Sequence, residues 1–175
     1  MKRFTLAAVM CVICVALTAC GGGGGGSDDY TPSVYVAGAV KLTSAVKNAC
    51  YWKDGVRTDL PGSDGNAYGI AVANGHVYVV GNTTSNACVW VDGVKEDLDG
   101  DYAWGIKIVG NTVYISGTNN DSKACIWIDG IKYDIDSSTY SSSANNINVV
   151  NDTIYVTGDR SDDGSIYKAT LWSKA

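Results

Sequence analysis

The stretch ACVWVDG at residues 87–93 decides the fold, because near-copies of it recur along the chain. The copies are ACYWKDG at 49–55, ACIWIDG at 124–130 and a diverged ATLWSKA at 169–175. Spacings of 38, 37 and 45 residues separate their tryptophans, which are Trp52, Trp90, Trp127 and Trp172. Self-similarity at a period of about 40 residues is typical of repeat architectures. The chain is therefore expected to contain about four structural repeats.

The sequence around each copy predicts four short antiparallel strands, because Val, Ile, Tyr and Thr are plentiful there. The strand before the tryptophan strand is VYVAG, VYVVG, VYISG or IYVTG, at 34–38, 77–81, 113–117 and 154–158. The strand after it lies at 56–60, 94–98 and 131–135. The strand that opens a repeat is predicted at 69–72, 105–108 and 146–149.

Two-residue turns connect these strands. Asp-Gly joins the third strand to the fourth at 54–55, 92–93 and 129–130. The first strand is joined to the second by Asn-Gly, Gly-Asn and Asn-Asp at 74–75, 110–111 and 151–152. A type I′ turn needs positive φ at both central residues, which Gly, Asn and Asp tolerate best. All six turns are therefore predicted to be type I′ hairpins in register with the repeat.

Four-stranded repeats with one aromatic motif each predict an all-β, β-propeller-like domain over residues 34–175. The repeats supply three, four, four and three strands, so both end blades are incomplete. Three arrangements remain open: a small four-bladed ring, a homodimer that closes an eight-bladed ring, or a shortened relative of a longer propeller with exposed edges. Association is slightly favoured, because terminal repeats without caps leave apolar faces open.

The pattern A-x-x-W-x-x-G-x-x-x-D-L resembles the HAF-type extracellular repeats. The chain is also similar to bacterial repeat lipoproteins with VYVAG and LWKNG-like motifs. The resemblance covers residues 34–175 and implies a propeller-like fold and an exported location, without implying an activity. The last repeat departs from the pattern at Thr170 and at Lys174-Ala175.

The N-terminus has the form of an export signal. Lys2 and Arg3 precede an apolar run at 4–17, which is too short for a good transmembrane span. The run ends in Leu-Thr-Ala-Cys, which resembles a bacterial lipobox with Cys20 as the acylated residue. We expect a lipoprotein signal peptide at 1–19 and a Gly-rich tether at 20–33. Several acyl chains would hold the protein in the bacterial cell envelope, on the outer membrane or cell surface.

The composition argues against several functions. The formal net charge of −5 disfavours nucleic acid, whose phosphates are bound by Lys and Arg, and the chain offers no polybasic patch for anionic lipid. His76 is the only histidine, and no triad, zinc, P-loop or Rossmann motif occurs. An enzyme therefore ranks last, and we predict no catalytic residue, metal site or cofactor.

Two further groups are predicted to be structural. Cys50, Cys88 and Cys125 occupy one repeat position and are expected to pack in the core as small hydrophobic residues. The acidic loops at 97–101 and 159–164 lack the full EF-hand spacing, and we expect solvated turns there rather than a calcium site.

Aromatic residues outside the repeat pattern are the candidates for binding. The four periodic tryptophans are predicted to form the core between blades, whereas Trp104 replaces Tyr68 of the preceding repeat. With Tyr102 and Tyr140, both placed on loops, Trp104 is a candidate for a glycan or peptide site. The sequence thus predicts a lipid-anchored binding module with a glycan or protein ligand; the alternatives are an assembly module, a shortened copy that binds nothing, and last an enzyme.

Overall fold

The computed structural model describes residues 15–17, 32–41, 46–84 and 86–174, with the backbone alone for the first of these ranges. Every regular element in this part of the chain is a strand, which confirms the all-β prediction. No helix that could span a membrane is found there. Cys20 and the glycine run of the predicted tether lie outside the described residues.

The strands form four antiparallel sheets, each in chain order. The first sheet consists of β1 (Val15–Leu17), β2 (Val34–Lys41), β3 (Lys47–Lys53) and β4 (Val56–Asp59). The second consists of β5 (Asn66–Ala73), β6 (His76–Asn82), β7 (Ala87–Val91) and β8 (Val94–Asp97). The third consists of β9 (Tyr102–Val109), β10 (Thr112–Thr118), β11 (Ala124–Ile128) and β12 (Ile131–Asp134). The fourth consists of β13 (Ser142–Val150), β14 (Thr153–Ser161) and β15 (Tyr167–Lys174). These sheets are consistent with propeller-like blades, as predicted.

The first sheet differs from the prediction of three strands. β1 lies on its inner edge and pairs with β2, with Leu17 opposite Val34 and Val15 opposite Val36. Residues 15–17 belong to the predicted signal peptide, so cleavage before Cys20 would remove β1 and leave β2 at that edge.

Five of the six predicted type I′ turns are confirmed, because both central residues have positive φ. In the turn after β7, for example, φ is 50° at Asp92 and 85° at Gly93. The prediction is wrong for the turn after β9, where Gly110 has a φ of 59° but Asn111 is not in the left-handed region. Positive φ at the first central residue alone, with Gly there, is the pattern of a type II′ turn.

The core consists of three hydrophobic clusters, one between each pair of consecutive sheets. Because side chains alternate along a strand, Trp90 on β7 faces the first sheet, where it packs with Leu60, while Val89 faces the third sheet. Trp127 repeats this arrangement one sheet later, and Trp172 is partly buried in the third cluster. The tryptophans of these three sheets therefore hold neighbouring sheets together, as predicted. Trp52 of the first sheet departs from the prediction, because it is only partly buried and belongs to none of the three clusters.

The cysteines also behave as predicted. Cys50, Cys88 and Cys125 are fully buried, and burial raises the pKa of Cys88 to about 12. The Cys125 pKa is raised for the same reason, so both thiols stay neutral and act as small apolar side chains.

The first and fourth sheets are not joined to each other by a further hydrophobic cluster among the described residues. Leu171 lies on the far face of the fourth sheet and is 62 % exposed, whereas Val89 and Ile126, at the equivalent repeat position, are 6 % and 1 % exposed. The fourth sheet thus leaves exposed the face whose equivalent is buried in the second and third sheets.

Candidate functional site

The first strands of the second, third and fourth sheets begin three or four residues earlier than the sequence predicted. The cause is a β-bulge at the same repeat position in each, at Tyr68, Trp104 and Asn145. A bulge inserts one unpaired residue, bends the strand and re-aims a side chain. It also interrupts the two-residue alternation by which a strand is recognised, so Tyr102 was predicted to lie on a loop; this was wrong, because Tyr102 is the first residue of β9.

A glycine on the second strand makes room for each bulge. A Cβ on Gly117 would lie 2.0 Å from the carbonyl oxygen of Tyr102, far inside contact distance. Gly81 and Gly158 face the carbonyl oxygens of Asn66 and Ser143 in the same way. The glycine that ends each VYVVG-like motif is therefore the sequence signal that could have revealed the bulges.

A second set of close contacts brings the bulged residues of neighbouring sheets together. A Cβ on Gly69 would lie 3.0 Å from the carbonyl oxygen of Trp104, and one on Gly105 would lie 3.0 Å from the Cα of Asn146. Neighbouring first strands therefore touch backbone to backbone, which residues with larger side chains would prevent. Tyr68, Trp104 and Asn145 consequently lie in adjacent first strands at one level of the fold.

Three aromatic rings lie in contact at this level, and we call Tyr68, Trp104 and Tyr102 the aromatic row. The ring centroids of Tyr68 and Trp104 are 4.4 Å apart with an interplanar angle of 42°. Those of Tyr102 and Trp104 are 5.0 Å apart at 12°, which is a stacked arrangement. Trp104 thus contacts two tyrosine rings, and Tyr102 is 38 % exposed.

A chain of hydrogen bonds continues the row towards the fourth sheet. The Trp104 Nε1–H group donates to Thr118 Oγ1 at 3.2 Å, and this oxygen lies 3.3 Å from Ser143 Oγ. Ser143 Oγ donates to Asn145 Oδ1 at 2.7 Å, and Asn145 Nδ2 donates to Asp159 Oδ2 at 3.0 Å. Since the Ser143 proton goes to Asn145, the Thr118 hydroxyl is the donor to Ser143. We call Thr118, Ser143, Asn145 and Asp159 the polar row.

The rings of the aromatic row are uncharged. Burial, and to a smaller extent Tyr102, raises the pKa of Tyr68 to about 12, so its hydroxyl stays protonated. Asp159 is the one acidic residue of the two rows, and its neighbour Arg160 bonds to Asp162 instead. Both rows together therefore offer stacking surface and hydrogen-bonding groups with a single negative charge.

The structure brings together only part of the predicted set of binding residues. Trp104 and Tyr102 are in contact, and Tyr68, which was not a candidate, joins them because it occupies the same repeat position as Trp104. Tyr140 lies between β12 and β13, outside the strands as predicted, where a Cβ on Gly164 would be 3.1 Å from its ring. No ring contact joins Tyr140 to the aromatic row in the described part of the chain.

The other predicted polar groups are engaged elsewhere. His76 Nδ1 lies 2.6 Å from Asp92 Oδ2 on an exposed hairpin. In the first acidic loop Asp99 bonds to Lys132 and to Asn120, and in the second the backbone N–H groups of Ile166 and Ser165 lower the pKa of Asp163 to about 2. Across the described ranges, no three His, Cys, Asp or Glu side chains gather as metal ligands.

One cavity lies away from both rows, on the outer side of the third and fourth sheets. Its volume is about 710 Å³, and Tyr133, Ile135, Leu171 and Trp172 help to line it. The corresponding groove between the second and third sheets holds only about 180 Å³. The difference arises because the fourth sheet has no strand beside β15 in the described residues, so this groove reflects a missing strand rather than a set of convergent polar groups.

No protein-family model matches the chain, and no curated protein is significantly similar to it.

Proposed function

We propose that this protein is a membrane-tethered interaction module that binds its ligand through the aromatic row. The observation that carries the proposal is the alignment of three bulges, which re-aim Tyr68, Trp104 and Asn145 at one level of neighbouring sheets. Bulges at one repeat position with different side chains are expected where a repeated scaffold is adapted for recognition. The β-propeller-like fold is compatible with such a role.

Binding fits the chemistry of this surface better than catalysis does. The exposed ring of Tyr102, the hydroxyls of the polar row and the exposed amide of Asn145 supply contact area and orientation, which are the requirements of recognition. The two rows contain no cysteine, histidine or lysine that could act as a nucleophile or base near neutral pH.

The proposed membrane tether is supported by the sequence alone. The lipobox-like residues before Cys20 and the glycine run after it support acylation followed by a flexible spacer. The full chain expressed in bacteria with a labelled fatty acid should take up label and sediment with membranes, and Cys20→Ala should do neither. Cys14→Ala is the matched control, because Cys14 lies within the apolar run; equal labelling of the Cys20→Ala chain would contradict the anchor.

Binding through the aromatic row is tested by screening the full chain in detergent micelles against immobilised glycans and peptides. The expected result is saturable binding of at least one ligand, lost in Trp104→Ala and retained in Tyr140→Ala. Circular dichroism verifies that both variants are folded. Failure to bind any member of a broad panel, or equal loss in both variants, would overturn the proposal.

A second candidate function, assembly with another copy of the chain, is favoured by the exposed face of the fourth sheet. Leu171 and Tyr155 are 62 % and 39 % exposed there, in the pattern that internal sheets bury. An assembly role predicts that Leu171→Lys converts a dimer into a monomer, while Val150→Lys, a change at another exposed apolar residue, does not. A native chain that stays monomeric at high concentration in sedimentation would contradict this role.

A further inference from the structure

Resting on the binding function proposed above, we infer that the ligand of the aromatic row is a neutral oligosaccharide. It would stack one sugar ring on Tyr102 and place the hydroxyls of the next ring against the polar row.

The stacking surface is the outward side of Tyr102. Trp104 is partly buried, and the rings of Tyr68 and Tyr102 both lie against it. Tyr102 is stacked on Trp104 and 38 % exposed, so it offers a ring to solvent while its orientation is fixed from behind. A pyranose has an apolar face of C–H bonds that packs flat on such a ring, and a rigid aromatic anchor loses little entropy on binding.

The polar row lies directly beside this platform. Tyr102 pairs with Thr118 across the β9–β10 ladder, and Thr118 is in contact with Ser143 of the neighbouring sheet. Asn145, which ends the row with Asp159, is exposed. A ligand on Tyr102 that extends towards the fourth sheet would therefore meet these groups next.

The hydrogen bonds within the polar row leave capacity for a ligand. Asn145 uses one N–H and one lone pair within the protein, although an amide offers two donors and two acceptor positions. Asp159 accepts from Asn145 and keeps further lone pairs. Vicinal sugar hydroxyls, which both donate and accept, match an amide beside a carboxylate.

Charge selects a neutral sugar over an acidic one. Asp159 contributes a negative charge to the site, and Arg160, the adjacent basic residue, is bonded to Asp162 at 3.1 Å. The chain as a whole carries a formal charge of −5. Uronates, sialylated sugars and phosphates would therefore meet repulsion without a cation to offset it.

The test uses the full chain in micelles of a detergent whose headgroup contains no sugar, with binding followed by biolayer interferometry. The probes are neutral gluco-, manno-, galacto- and N-acetylglucosamine-type oligosaccharides, oligouronates and a peptide library. We expect saturable binding of at least one neutral oligosaccharide, with affinity at least tenfold lower in Tyr102→Ala and Trp104→Ala and several-fold lower in Asn145→Ala.

Two control variants separate recognition from general damage. Tyr102→Phe keeps the ring and should stay within about threefold of the native affinity, and Tyr140→Ala should bind as the native chain does. Preference for oligouronates, or neutral-sugar binding that survives both Tyr102→Ala and Trp104→Ala, would overturn the inference. Peptide binding that is lost in Trp104→Ala would overturn it while leaving the interaction module intact, and no binding at all would overturn both.

Discussion

The tryptophan strands and the bulged first strands belong to the same repeats. The tryptophan strands keep nearly the same sequence from one repeat to the next, whereas the first strands do not. In β7 and β11 the sequence Ala-Cys-aliphatic-Trp recurs, and Trp90 and Trp127 are both fully buried. In the first strands one position holds Tyr68, Trp104 or Asn145. Close packing between sheets requires a side chain of the same shape in each repeat. The side chain of a bulged residue is not subject to this requirement, so it can differ between repeats. Residues that differ between repeats therefore point to the binding surface more directly than residues that recur.

The first prediction removes a recurring residue. Trp90→Ala should lower the free energy of unfolding by about 3–5 kcal/mol, because it deletes the largest side chain of the first cluster and leaves a cavity. Urea denaturation followed by circular dichroism measures the loss. A loss below about 1 kcal/mol would mean that this interface does not depend on its tryptophan.

The second prediction concerns the glycine that accommodates a bulge. Gly117→Ala places a Cβ 2.0 Å from the Tyr102 carbonyl oxygen and 2.7 Å from the ring of Trp127, so the strands must move apart. We expect a loss of about 1–3 kcal/mol, as for other overpacked sites, and a changed near-ultraviolet dichroism of the Tyr102–Trp104 stack. Thr112→Ala, at the other end of the same strand, is the control and should change neither quantity much.

The third prediction concerns hydrogen bonding within the recurring core. Trp90 Nε1 donates to the Pro61 carbonyl at 2.9 Å, while Trp127 Nε1 has no partner among the described residues. Trp90→Phe should therefore cost about 1 kcal/mol more than Trp127→Phe, since only the former removes a made hydrogen bond. Equal losses in parallel urea denaturation would show that the two interfaces are energetically alike despite this difference.

The smallest expected effect is the pH dependence of the second acidic loop. The Ile166 and Ser165 N–H groups hold the pKa of Asp163 at about 2, below its ordinary 3.8. Because the folded pKa is depressed, this contribution to stability is present above pH 3.8 and disappears as the pH falls towards 2. Hydrogen exchange at Ser165 and Ile166 should accelerate over that window, relative to the pH dependence of an Asp163→Asn chain; matching profiles for the two chains would exclude a role for the carboxylate.

Much of the fold could be predicted because its signals are local or repeated. Asp92-Gly93 identifies a hairpin from two residues, since few other pairs adopt positive φ twice. The burial of Trp90 and Trp127 follows from their recurrence. The turn at Gly110-Asn111 was mispredicted because composition does not distinguish type I′ from type II′ when Gly comes first.

The candidate site could be predicted only in part because it depends on contacts between sheets. Trp104 was identified as a departure from the repeat, but its contact with Tyr68 depends on the backbone approach at Gly69. Tyr102 was placed on a loop because the bulge two residues later hides the strand period. The pairing of β1 with β2 is equally non-local, because Leu17 and Val34, which pair, lie far apart in the sequence.

The most direct test of the separation between scaffold and site is the thermal unfolding midpoint of Trp104→Ala beside that of Trp90→Ala. Since about 1 kcal/mol corresponds to roughly 2–4 °C in a chain of this size, Trp90→Ala should unfold roughly 6–20 °C below the native chain. Trp104 is only partly buried beside two tyrosines, so its removal should lower the midpoint by only about 2–4 °C. A midpoint as low as that of Trp90→Ala would contradict the account, because Trp104 would then be part of the core rather than of a binding surface.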